Sequence, residues 1–359
     1  MSDKSSDKSE DSPLSIAHGA PDLPGVTVDS YNVELREGET FVGDRASKRA
    51  FNEILEEWRE RLRRIEADPL GDVPTRELSK KQLEKVLTSG DPEAAGLIQG
   101  AIEEFAGELA AVTRRFLRLK AWRGIERLVV GGGFSGSRIG ELTIGRAAVL
   151  LKADGTELDL VPIRHHPDEA GLIGAVHLAP SWIFSGHDAI IAVDIGGSNI
   201  RAGIVEFDVK KRPDLAKARV WRSDLWRHAE EQPKRDEAVD RLIAMLESLI
   251  GRAKKEKLEL APFIGLGCPG VIRADGTIES GGQNLPGNWE STRFNLPRLL
   301  REAIPEISDA ETVVIMHNDA VVQGLSELPF MKDVKRWGVL TIGTGLGNAC
   351  FTNKAAAKE

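Results

Sequence analysis

Five short stretches of the chain place chemically useful side chains beside glycines that let a backbone approach a ligand. Asp194-Ile195-Gly196-Gly197-Ser198-Asn199 stands between two apolar runs, AIIAV and AGIVEF. It reads as a hairpin whose glycines can present backbone N–H groups to an anion, with Ser198 adding a hydroxyl donor. Asp194, at the end of the first run, can hold Mg²⁺ directly or through water. The same residues would also make an ordinary glycine turn. Gly343-Thr344-Gly345-Leu346-Gly347 follows GVLTI with the same ingredients, and glycine turns between strands are common.

Two readings are open for LVVGGGFSGSRIGEL at 128–142. Gly131, Gly133 and Gly136 satisfy G-x-G-x-x-G after a strand and before a helix, and Asp154 lies about 20 residues on, as a dinucleotide-binding βαβ unit requires. Alternatively, Gly132 and Gly133 can line a turn that holds ATP by its adenosine side at a helix N-terminus. In Met316-His317-Asn318-Asp319-Ala320, Asn318 can donate to and accept from a polyol, and Asp319 can accept a hydroxyl proton. Asp319 could equally be the N-cap of the helix AVVQGL. Cys268-Pro269-Gly270-Val271-Ile272 and Asn284-Leu285-Pro286-Gly287-Asn288-Trp289 could form one wall of a sugar site, or be loop punctuation.

These stretches need strands and helices to hold them. Leu55, Trp58, Leu62 and Ile65 predict a helix over about 50–67, ended by Pro69 and Gly71. Ile98, Ile102, Phe105, Leu109, Val112 and Phe116 predict another over about 93–120, where small residues permit close packing. IERLVV reads as a buried strand; a helix then leads to the strand-like AAVLL and LDLVPI. DEAGLIGAVHLA predicts a helix over about 168–179, closed by Pro180. Another is predicted over about 236–250 with Gly251 as its C-cap. AIIAV, FIGLGCPGVI, TVVIM and GVLTI are short apolar strands, and residues 13–49 read as loops with one or two strands. Strands alternating with helices indicate an α/β protein, and no repeat of solenoid period is present.

Composition bounds the rest. At 359 residues the chain has room for about two domains. Its 48 Lys and Arg against 56 Asp and Glu give a net charge of −8, which argues against a general nucleic-acid binder. No apolar run reaches the roughly 20 residues of a membrane span. MSDKSSDKSEDS lacks the apolar core of a secretory signal, and residues 1–12 are expected to be a disordered tail. Two cysteines, Cys268 and Cys350, cannot build a disulfide framework, which fits a cytoplasmic location.

Taken together, the motifs resemble the ROK family (repressors, uncharacterised frames and sugar kinases) of the actin-like/hexokinase ATPase superfamily. DIGGSNIRAGIVEF looks like its first phosphate motif and LTIGTGLGNA like its second; PGVI, GTIES, NLPGNW and HNDA look like its sugar-site segments. LVVGGGFS with DEAGLIGAVHLA looks like its adenosine-side segment and last helix. The resemblance spans roughly residues 90–351. It implies a two-lobed fold of duplicated ribonuclease-H-like lobes, ATP and Mg²⁺ as cofactors, a small sugar as substrate, and a homodimer. The implied roles are Asp319 as catalytic base; Asp194, Gly196, Gly197, Ser198, Asn199, Gly343, Thr344, Gly345, Gly132 and Gly133 around ATP; and Asn318, Asn284 and Gly270 toward the sugar.

The motif order is cyclically shifted from the family's, because the GGG segment and the family's last helix precede DIGG. The resemblance therefore implies a circular permutation, joined through PSWIFSGHD. Residues 13–180 would begin the C-terminal-type lobe, 188–310 would form the N-terminal-type lobe, and 311–359 would complete the former. Family kinases carry a C-x-C-G-x-x-G-C zinc loop after the second phosphate motif. Its expected position, near residues 13–50, has no cysteine and only His18, so no zinc site is expected; His165-His166 reads as a surface pair. Two alternatives stay open: a catalytically inactive or regulatory sugar- and nucleotide-binding protein, and a flavin- or nicotinamide-dependent oxidoreductase. Family repressors add an N-terminal DNA-binding domain, for which residues 1–49 are short and not basic.

Overall fold

Two five-stranded mixed sheets organise residues 17–354, the part of the chain described by the computed structural model. The expected tail, residues 1–12, lies outside the described residues. In chain order the sheet strands are β1 (Val26–Tyr31), β2 (Arg127–Gly131), β3 (Asp159–Pro162), β4 (Ala189–Ile195), β5 (Ile200–Glu206), β6 (Arg219–Trp226), β7 (Leu260–Cys268), β8 (Val313–Asn318), β9 (Arg336–Ile342) and β10 (Leu346–Asn353). The helices longer than one turn are α1 (Lys48–Arg63), α2 (Lys80–Ser89), α3 (Pro92–Leu117), α4 (Arg138–Ala153), α5 (Pro167–Gly174), α6 (Arg235–Lys255), α7 (Leu296–Ala303) and α8 (Asp319–Leu325). No described helix is long and apolar enough to cross a membrane.

Sheet one has the order β1-β10-β9-β2-β3, and sheet two β6-β5-β4-β7-β8. Each has three antiparallel strands, then two more parallel to the third. The two sheets thus share one plan, traced in different chain order. Sheet two is built from consecutive strands. Sheet one starts with its edge strand and takes its central hairpin, β9–β10, from the last described residues. Strands such as β4 are buried along nearly their whole length because both faces are covered.

Three apolar clusters fill the layers. One lies between the sheets around α5 and α8. A second packs sheet two against α6 and α7. The third packs sheet one against α1, α3 and α4. At the centre, α5 and α8 cross so closely that a Cβ on Gly174 would lie 1.7 Å from the Val322 carbonyl oxygen.

Some sequence expectations need correction. AAVLL is the last part of α4, not a strand; Ile144, Ala147 and Leu151 are buried at helical spacing, while Val149 is exposed. Gly251 lies inside α6, which runs on to Lys255 and is capped by Glu256. The helix expected over 168–179 is α5 followed by a 3₁₀ turn, Ala175–Leu178. Helix α2 was not anticipated, although Ser79 and Gln82 form a capping box that is visible as S-x-x-Q.

Candidate active site

The register of sheet two puts two carboxylates at one edge. Asp194 pairs with Gly267 across β4 and β7, and Asn318 pairs with Cys268 across β7 and β8. Asp194 and Asp319 therefore leave the sheet on either side of β7, at the carboxyl ends of parallel strands, where open α/β sheets bind ligands. Beyond Asp194 the chain turns tightly, with Gly196 N–H donating to Asn199 C=O at 2.8 Å. Two groups anchor this turn: buried His228, whose Nε2 is 2.9 Å from Gly196 O, and Ala229, whose N–H donates to Ser198 C=O at 3.2 Å.

The β9–β10 turn meets it. Gly343 N–H donates to Gly345 C=O at 2.9 Å, and Lys48 N–H, at the start of α1, donates to Gly343 C=O at 3.1 Å. The hydroxyls of Ser198 and Thr344 are 3.1 Å apart. A Cβ on Gly345 would meet nothing within 4 Å, so this tip faces open space. The Gly131–Gly133 turn lies against the same strand end: Gly132 has φ +81°, and a Cβ there would collide with Ile342 C=O at 2.5 Å. Asn284 packs on the first turn, 2.9 Å from where a Gly197 Cβ would be. Sequence segments up to 213 residues apart, from Gly132 to Gly345, thus converge on one cleft.

Within the cleft, Asn318 and not Asp319 caps α8. Asn318 Oδ1 accepts from Ala320 and Val321 N–H, at 3.0 and 3.2 Å, and its Nδ2 donates to Gly270 C=O and Asp319 Oδ1, both at 3.0 Å. Asn318 is only 1% exposed. The amide expected to face a polyol is spent within the protein, as is the Gly270 carbonyl, and its visible effect is to orient Asp319. Asp319 stays free of capping and partly open to the cleft. Burial first, and the nearby Asp194 second, push its carboxyl up to about 7. Asp194, with its side chain 14% exposed, is also raised, chiefly by burial, with Arg201 3.8 Å away acting against the rise. His317 Nδ1 accepts from Asn318 N–H at 2.7 Å, so Nε2 carries the proton toward Ala20 C=O at 3.1 Å.

Sequence reasoning missed the cations. Lys80, in the first turn of α2, donates its ammonium to Gly133 C=O. Its pKa is lowered by burial and then by Lys48, with Arg201 also contributing. Arg201 pairs with Asp168 at the start of α5 as well as with Asp194. Lys48, Lys80 and Arg201 come from three separate segments, so no local motif announces them. Asp154, which the dinucleotide reading needs at a ribose, instead caps α4 and pairs with Arg114 at 2.6 Å. His18 Nδ1 accepts from Met316 N–H at 3.1 Å, and His166 caps α5.

No protein-family model matches the chain, and no curated protein matches it. Solved structures with partial likeness include a "putative N-acetylmannosamine kinase" from Listeria monocytogenes, at 24% identity and TM-score 0.33, covering 46% of this chain and 47% of that one. They also include an ROK hexokinase from Thermus thermophilus, at 24% identity and TM-score 0.29, covering 45% of each chain. The chain therefore spans about half the length of these structures.

Proposed function

We propose that the protein transfers the γ-phosphoryl group of ATP to a hydroxyl of a hexose or related sugar. The observation that carries this reading is the meeting of two glycine hairpins, one from each sheet, beside a cleft carboxylate that no cap or ion pair neutralises. Phosphoryl transfer asks mainly for positioning and charge stabilisation. Backbone N–H groups of Gly197 and Gly345, with Ser198, Asn199 and Thr344, would hold the phosphates, replacing the hydroxyl contact between the tips, while the N–H groups of Gly196 and Gly343 close the two turns that present them. Gly132 and Gly133 would face the adenosine side. Asp319 would accept the proton of the attacking hydroxyl as the new P–O bond forms and ADP leaves. Asn284 would reach the sugar, and Asn318 would hold Asp319 in place.

Two carboxylates, Asp194 and Asp319, leaving the sheet on either side of β7 at one edge fit a site for Mg²⁺ held largely by phosphate oxygens. Asp194 would hold it directly or through water, and the ion would offset charge on the transferring group.

The shared plan of the two sheets supports a duplicated, two-lobed ATPase fold. Strands β9 and β10 occupy in sheet one the places that β4 and β5 occupy in sheet two. That their chain position is last supports a circular permutation, with the lobe expected at 188–310 running on through β8 to Asn318, since β8 pairs with β7 in sheet two, and the flanking parts as the other lobe.

ADP release measured across a panel of hexoses and N-acetylhexosamines tests the reading. Turnover with one of them, lost in Asp319→Asn with sugar binding kept, is the expected result. Absence of turnover with every sugar, or near-normal turnover in Asp319→Asn, overturns it.

A further inference from the structure

Helices α5 and α8 both begin at the cleft, where Asp168 and Asp319 lie, and both end beside a cavity of about 400 Å³. That volume falls within the range of small-molecule sites. Pro24, Ala179, Leu215, Leu328 and Pro329 give it an apolar lining, and Lys332, Lys354 and Asp214 bring charge. Two features set it apart from an incidental void. Leu215 is buried with φ +55°, a left-handed conformation that a branched side chain avoids unless its surroundings impose it. His177 lines the cavity at only 7% exposure, and its Nε2 has no hydrogen-bond partner among the described residues. An unsatisfied buried nitrogen is costly.

The lining also joins parts of both sheets. Asp214 and Leu215 come from the β5–β6 connection of sheet two, and Lys332 from the segment between α8 and β9. Asp214 and Lys332 meet at 2.5 Å across the cavity wall. Both lysine pairs here, including Lys354–Asp22 at 3.4 Å, are solvent-exposed, so either ammonium can turn to a ligand at little cost.

We propose that this cavity binds a small amphipathic carboxylate, with its apolar body against Leu215 and Leu328 and its acidic group between Lys332 and Lys354. Each ammonium is paired with a carboxylate, but of these only Asp214 lines the cavity while Asp22 lies outside it, so the lining itself offers an acid more cation than anion, and the apolar floor excludes a fully hydrated ion. A ligand there braces the β5–β6 connection against the segment after α8, and so acts on the same two helices that carry the cleft residues. The proposal stands apart from the phosphoryl-transfer reading, because its test reads binding alone.

Isothermal titration calorimetry of the full chain with 3-phenylpropionate, and with the neutral 3-phenylpropanamide, tests it. Saturable binding of the acid tighter than about 10 mM is expected for so small a ligand. The amide should bind at least about tenfold more weakly, the loss of one charge-assisted contact. In Lys332→Met/Lys354→Met, whose positions are exposed enough to spare the fold, the acid should fall to the affinity of the amide. No saturable binding of the acid, equal affinity for acid and amide, or undiminished acid binding by the double variant would each overturn the proposal.

Discussion

The hydroxyls of Ser198 and Thr344 lie 3.1 Å apart, though 146 residues separate them in the chain. Each sits at the tip of a glycine hairpin, and each hairpin is the central antiparallel pair of its own sheet. The contact is neutral and surface-near, so it adds little to stability. What it reports is placement: the ladders of two separate sheets aim their turns at one point, and a phosphate chain entering there would find donors from both sides.

That placement is testable with a crosslink. Ser198→Cys/Thr344→Cys should form a disulfide under mild oxidation, since the present oxygen separation leaves only a small adjustment to disulfide geometry. Cys268 and Cys350 are both buried, and burial raises both thiols, so neither competes for the new bond. Oxidation should abolish nucleotide binding, measured by equilibrium dialysis, and a thiol reductant should restore it. Bound ATP should slow crosslinking. Unchanged nucleotide binding in the oxidised form would remove the phosphates from this junction.

The carboxyl of Asp319, raised to about 7, predicts the pH dependence. A base works only when ionised, so kcat/KM should climb through about pH 7 and level off above it. Asp194→Asn removes a negative neighbour and should move that limb to lower pH, even as it lowers the rate. Stability runs the other way. The fold favours neutral Asp319, so its ionisation costs stability progressively as pH rises from 3.8, the ordinary value, to about 7. Asp319→Asn should therefore stabilise the protein by on the order of 2–4 kcal/mol at about pH 8 and hardly at all below about pH 4. Denaturant titrations at both pH values decide this.

Lys80 gives a sharper split. Its ammonium rests on the Gly133 carbonyl, beside the turn that would receive the adenosine side of ATP. Lys80→Met should raise KM for ATP by about tenfold, as loss of one charge-assisted contact would. KM for the sugar should stay unchanged, because Lys80 rests on the Gly133 turn that follows a strand of sheet one, whereas Asn284 packs on the Gly197 turn and Asp319 follows β8, both of sheet two. Equal effects on both substrates would mean that the lysine shapes the fold of the cleft and not the nucleotide site.

The glycine turns and the strands that carry them were legible in the sequence because both signals are local: apolar runs of four to six residues, each ending in glycines. The α/β alternation followed from the same signals. The capping role of Asn318 is not legible in the sequence because a cap and a ligand contact use the same amide, and its bonds to Gly270 and α8 depend on the packing of β8 against β7. Lys48, Lys80 and Arg201 were invisible because surface cations occur everywhere, and their grouping depends on packing between distant segments. AAVLL looked like a strand because five apolar or small residues in a row hide a helical period; only burial at Ala147 and Leu151 with Val149 outside reveals it.

Two glycines of α5, one turn apart, separate stability from catalysis. At Gly174 a Cβ would meet backbone, the Val322 carbonyl oxygen at 1.7 Å and Ser326 N at 3.1 Å. Nothing there can rotate away, so Gly174→Ala must push α5 and α8 apart and should destabilise by about 2–4 kcal/mol. At Gly171 the Cβ would meet a side chain, the Asp194 carboxyl, with Cγ at 2.6 Å. That carboxyl can turn about its own bonds, so Gly171→Ala should cost no more than about 1 kcal/mol. The turned carboxyl, however, would no longer sit where the proposed Mg²⁺ site has it, and the rate should fall by about 10²-fold. Thermal melts and phosphoryl-transfer rates on the two variants form the check. A Gly171→Ala protein with normal turnover would show that the position of Asp194 does not matter to the reaction.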